Sequence, residues 1–78
     1  MAEDTWPVWM TAEQAQRIRA DLKAEGFDDV FMQSDDCDHD LGVAVVHEGR
    51  RHAVRVSEPR GLASVVYLFK QWRDRLNG

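Results

Sequence analysis

The residues of this 78-residue chain best suited to chemistry are crowded into one run, Asp35-Asp36-Cys37-Asp38-His39-Asp40. Alternating carboxylates offer hard oxygen ligands to calcium, and a His near a Cys offers nitrogen and sulfur to zinc. Asp36, Asp38 and Asp40 stand where a helix-flanked calcium loop takes its first three ligands. Leu41 occupies the place of the sharp-turn glycine, however, and His47 that of the bidentate glutamate; Gly42 and Glu48 each come one residue late. A structural zinc site needs four ligands, and Cys37 has no second thiol in the chain. The sequence therefore assigns no metal and no cofactor, and keeps a calcium- or zinc-binding regulatory module as an alternative reading.

Acid–base or nucleophilic catalysis has less to work with. His39, His47 and His52 are the three imidazoles, and none sits in a catalytic motif. His47 and His52 are expected opposite each other near a hairpin tip. No Gly-rich phosphate cradle is present, and a chain this short offers little concave volume for a substrate. The expectation is a protein that is not an enzyme.

What remains is the distribution of charge. The net charge of −4 conceals an acidic middle, in which Glu25, Asp28, Asp29, Asp35, Asp36, Asp38, Asp40 and Glu48 occur between residues 24 and 49 without a Lys or Arg. The following segment carries Arg50, Arg51, Arg55, Arg60, Lys70, Arg73 and Arg75 against Glu58 and Asp74. The molecule is polarised, and such fields steer encounters with charged partners.

Five elements must position these groups. Thr11 and Gln14 form a capping box ahead of the stripe Ala15, Ile18, Leu22, predicting an amphipathic helix over 11–25 that stops at Gly26, with Phe27 reaching back to Leu22. Strands are expected over 28–34, 41–48 and 51–57. The last two form a hairpin turning on Gly49-Arg50, a pair suited to a type II′ turn, with Val45 opposite Val54, Val43 opposite Val56 and Glu48 opposite Arg51. Leu62, Val65, Val66, Phe69, Trp72 and Leu76 recur at helical spacing, predicting a second helix over 61–76. The order predicts an α+β domain, an antiparallel three-stranded sheet covered on one face by two helices. Ahead of it, residues 1–10 form an aromatic arm containing Trp6-Pro7-Val8-Trp9-Met10, either covering one end of the core or anchoring a partner.

Size leaves room for a single domain, and 44% hydrophobic with 31% charged residues is the composition of a chain that folds. The acidic start Met1-Ala2-Glu3-Asp4 lacks the basic and apolar regions of a secretory signal, and the lone cysteine suits a reducing compartment; a cytoplasmic location is expected.

The order helix, three strands, helix resembles that of double-stranded-RNA-binding domains. Those domains place a Lys-rich cluster at the start of the second helix, where this chain has Arg60-Gly61-Leu62-Ala63, and insert into RNA the loop that is here the most acidic. Arg50, Arg51 and Arg55 could form a small basic patch on the exposed sheet face, which keeps a small RNA- or DNA-binding domain as a further alternative; those arginines would also blunt a strand edge.

The leading expectation is an interaction protein whose Asp28, Asp29, Asp35, Asp36, Asp38 and Asp40 dock on a basic protein surface, with Trp6 and Trp9 supplying apolar contact. Basic surfaces of that kind hold DNA or RNA, so the docked protein would act as an inhibitor. In its size, its lack of catalytic motifs and its acidic run through Asp40, the chain resembles the small anti-CRISPR proteins of phages and mobile elements as a class. That resemblance implies a bacterial surveillance complex of the multi-subunit Cascade type as partner, in the host cytoplasm, and blocked binding of target DNA as the outcome.

Overall fold

A computed structural model describes residues 4–35, 37 and 39–78. Its elements follow the expected order: α1 (Ala12–Ala24), β1 (Asp29–Ser34), β2 (Leu41–His47), β3 (Arg50–Val56), a 3-10 turn at Pro59–Gly61, and α2 (Leu62–Asn77). The three strands form one antiparallel sheet in the order β1-β2-β3.

Both ends of α1 are closed by the residues that announced them. The Gln14 N–H donates to Thr11 Oγ1 at 3.2 Å, and the Thr11 N–H donates to Gln14 Oε1 at 2.9 Å. At the other end Gly26 takes φ +93°, which lets its own N–H reach the Lys23 carbonyl and the Phe27 N–H reach the Leu22 carbonyl, both at 3.0 Å. Leu22 and Phe27 are fully buried, so the same ending drives an aromatic ring into the core.

One face of the sheet carries that core. Val30 and Met32 of β1, Leu41, Val43 and Val45 of β2, and Val56 of β3 pack with Ala15, Ile18 and Leu22 of α1 and Val65 and Phe69 of α2. Period-two alternation along the strands sends Asp29, Phe31, Gln33, Gly42, Ala44, Val46, Arg51, Ala53 and Arg55 to the opposite face, which no helix covers. Among the described residues no helix is long and apolar enough to cross a membrane.

The hairpin departs from expectation. It turns on Glu48-Gly49, not Gly49-Arg50, and both turn residues have positive φ, +53° and +77°, as a type I′ turn requires. The partners are therefore Leu41–Val56, Val43–Val54, Val45–His52 and His47–Arg50, and the expected Glu48–Arg51, Val45–Val54 and Val43–Val56 pairs do not form. The reason lies at the far end of the ladder: the observed register puts fully buried Leu41 opposite buried Val56, whereas the expected one would face Leu41 with Glu58. Each strand slips by one residue, a total of two, so the buried and exposed faces are unchanged.

Candidate functional site

The acidic residues are divided by the strand that runs between them. Asp28 and Asp29 are exposed at the start of β1, and Asp29 opens the sheet register opposite Val46. Asp35 and Asp40 lie beyond the other end of β1, and six residues at about 3.3 Å each separate the two groups by roughly 20 Å. Asp36 and Asp38 lie outside the described residues. The structure thus does not bring Asp28 and Asp29 together with Asp35 and Asp40.

The loop between β1 and β2 is closed by its own polar groups. The Asp35 N–H donates to the Asp40 carbonyl at 3.0 Å, and the His39 N–H donates to Asp35 Oδ1 at 2.8 Å. The latter bond holds the Asp35 carboxyl below its ordinary value of 3.8, because a backbone donor stabilises the charged form. Trp9 fastens the loop from outside, its Nε1–H donating to the His39 carbonyl at 2.6 Å. Asp40 is half-buried and receives Arg55 Nε at 3.0 Å, so part of the loop's charge is neutralised within the fold.

Trp6 and Trp9 are partly buried and pack against the core. Pro7 between them is fully buried, and the Met10 N–H closes a turn on the Pro7 carbonyl at 3.0 Å. Trp9 therefore links core and acidic loop, apolar body inside and N–H outside. Val8, at the tip of the turn, is 78% exposed.

Among the described residues no three His, Cys, Asp or Glu side chains are grouped to hold a metal ion. Cys37 and His39 are exposed. His47 and His52, expected as a cross-strand pair, are partnered instead with Arg50 and Val45, because of the register described above. Both imidazoles belong to an aromatic cluster under the hairpin: His52 stacks on Trp72 with centroids 5.0 Å apart and planes at 11°, and His47 meets Trp72 edge-on at 6.3 Å and Phe27 at 5.4 Å. Arg73 lies over the Phe27 ring at 5.3 Å and donates to the Glu25 carbonyl, tying α2 to the C-terminus of α1.

The basic residues of β3 do not form the expected trio. Arg51 and Arg55 share the open sheet face, flanking Ala53, while strand alternation puts Arg50 on the opposite side. Beside them a depression of roughly 240 Å³ is lined by Phe31, Gln33, Gly42, Ala44, Ala53 and the two arginines, with Asp35 and Asp40 at its rim. Phe31, 53% exposed, is a residue that sequence reasoning missed as a surface group; its alternation with buried Val30 and Met32 was the available signal. Compared with protein-family models, curated proteins and solved structures, the chain matches none.

Proposed function

We propose that the protein is a non-catalytic interaction protein that docks its β1–β2 loop, with Asp35, Asp36, Asp38 and Asp40, on a basic surface of a partner and so excludes nucleic acid from it. The observation that supports this reading is the fastening of the loop by Asp35 and Trp9. A loop pinned at Asp35, His39 and Asp40 loses less conformational freedom at those residues on docking, so more of its contact energy appears as affinity. The separation of Asp28 and Asp29 from the loop narrows the proposed site to one end of the sheet. A small acidic contact next to Arg51 and Arg55 favours steric blocking over mimicry of an extended phosphate backbone. The bond from Trp9 Nε1–H to the His39 carbonyl gives Trp9 the role of supporting the loop, while Trp6 packs against the core.

The resemblance to the anti-CRISPR class makes a Cascade-type complex the first partner to test. Wild-type protein added to such a complex should suppress its shift of target duplex DNA in a gel, and the suppression should weaken with salt. The double variant Asp36→Lys, Asp38→Lys should lose about tenfold or more in potency, roughly 1.4 kcal/mol or more, with unchanged circular dichroism. Undiminished inhibition by that variant rejects the acidic loop as the docking site. DNA binding unaffected by saturating wild-type protein rejects this partner.

A further inference from the structure

The two edges of the sheet are treated differently. Along the outer edge of β1 the backbone groups of Val30, Met32 and Ser34 point away from β2, and each of these residues has a partner there. The Val30 carbonyl accepts Arg19 Nη1–H at 2.9 Å, the Met32 carbonyl accepts the Thr5 N–H at 3.2 Å, the Met32 N–H donates to Asp4 Oδ1 at 3.4 Å, and the Ser34 N–H donates to Thr5 Oγ1 at 2.8 Å. One backbone bond from Thr5 and the side chains of Asp4, Thr5 and Arg19 thus cover this edge.

Among the described residues nothing equivalent covers β3. In a hairpin with a two-residue turn, the residues flanking the turn exchange both hydrogen bonds, which makes His47–Arg50, Val45–His52, Val43–Val54 and Leu41–Val56 the bonded pairs. The N–H and C=O groups of Arg51, Ala53 and Arg55 then point outward. All three residues are exposed, and among the described residues no side chain or second backbone segment bonds to these groups. The edge is a row of donors and acceptors repeating every second residue, about 6.6 Å apart, a spacing that matches an extended peptide.

We infer that this edge of β3, with the open sheet face beside it, takes an extended acidic peptide of a partner protein as an added strand. Charge selects this occupant. A fourth strand would set alternate side chains next to Arg51, Ala53 and Arg55 on the open face, where carboxylates pair favourably with the two arginines. The residue between those carboxylates would fall beside Ala53 and Ala44, whose small side chains leave the depression that exposed Phe31 borders. The matching pattern is acidic, any, apolar, any, acidic. Arg55 engages Asp40 through Nε and retains its terminal nitrogens for such a contact. Pairing of β3 with a second copy of itself would bring arginines together across the new ladder, which is unfavourable. A nucleic acid has no peptide backbone to complete the ladder.

The test is a titration of isotopically labelled protein with the blocked peptide Thr-Glu-Thr-Val-Thr-Glu-Thr, followed by amide NMR and hydrogen exchange. Shifts centred on Arg51, Ala53 and Arg55, with slowed exchange of those amides, are expected. The lysine analogue of the peptide should bind at least tenfold more weakly, and the variant R51E/R55E should invert that preference. A peptide N-methylated at its valine, which removes an edge-facing donor or crowds the ladder while leaving the protein intact, should also bind at least tenfold more weakly. No shifts at millimolar peptide, equal binding of the lysine analogue, tighter binding of oligothymidylate to the same amides, or concentration-dependent dimerisation through β3 would each overturn the inference.

Discussion

Replacing Glu48 by Asn isolates the turn on which the hairpin register depends. Glu48 sits at φ +53°, a left-handed conformation that costs an ordinary L-residue about 1–2 kcal/mol, whereas Asn tolerates it and Asn-Gly is the preferred pair for a type I′ turn. Little is lost in exchange, since the Glu48 side chain is 68% exposed and its carboxylate lies 3.9 Å from His47 Nε2. The net gain should be about 1 kcal/mol, which in a domain of this size raises Tm by about 4–8 °C. Thermal unfolding followed by circular dichroism reads the shift. A urea titration should show a higher midpoint with unchanged slope, because the surface exposed on unfolding is the same. Were the turn on Gly49-Arg50, Glu48 would lie in a strand and Asn there would be neutral or destabilising. An unchanged or lower Tm would therefore refute the assigned register, and with it the outward orientation of the Arg51, Ala53 and Arg55 backbone.

Two further outcomes follow from the loop and the helix junction. Because the Asp35 carboxyl titrates below its ordinary 3.8 in the folded protein, the stability it contributes is complete above that value and is lost as pH falls through the lower folded one. Carboxyl NMR should place its titration below 3.8, and Asp35→Asn should remove that acid-range dependence; titration at or above 3.8 would contradict the closed loop. Arg73→Met removes the guanidinium that lies over Phe27 and donates to Glu25, and should cost about 2 kcal/mol in urea unfolding, whereas no loss would show that the α1–α2 tie contributes nothing.

Fold and site differ in how openly the sequence declares them. The helix signals are local: Thr11 with Gln14, and Gly26 followed by Phe27, act within a single turn of chain, so their meaning survives without any knowledge of the rest. The hairpin was half legible. Val43, Val45, Val54 and Val56 marked the buried side correctly, but the turn was misplaced by one residue, because Gly49 can serve as the first residue of one turn type or the second of another. The choice belongs to Leu41, at the far end of β2, which must find an apolar partner across the ladder.

The candidate site was less legible still. Six aspartates near one another in sequence read as one surface, yet an extended strand inserted among them carries its ends apart faster than any other regular structure. The bond from Trp9 to His39 joins residues 30 apart in the chain, and the covering of the β1 edge by Asp4 and Thr5 depends on contacts of comparable range.

Residue type and spacing alone determined which segments become helix or strand, which faces are apolar, and that negative and positive charge occupy different stretches. Tertiary structure decided where those charges lie relative to one another, which tryptophan supports the acidic loop, and which sheet edge stays open. The division has a physical cause. Caps, helical stripes and alternation are set by bonds among near neighbours, while register, edge protection and the shape of a charged surface depend on which distant segments the buried apolar groups bring into contact.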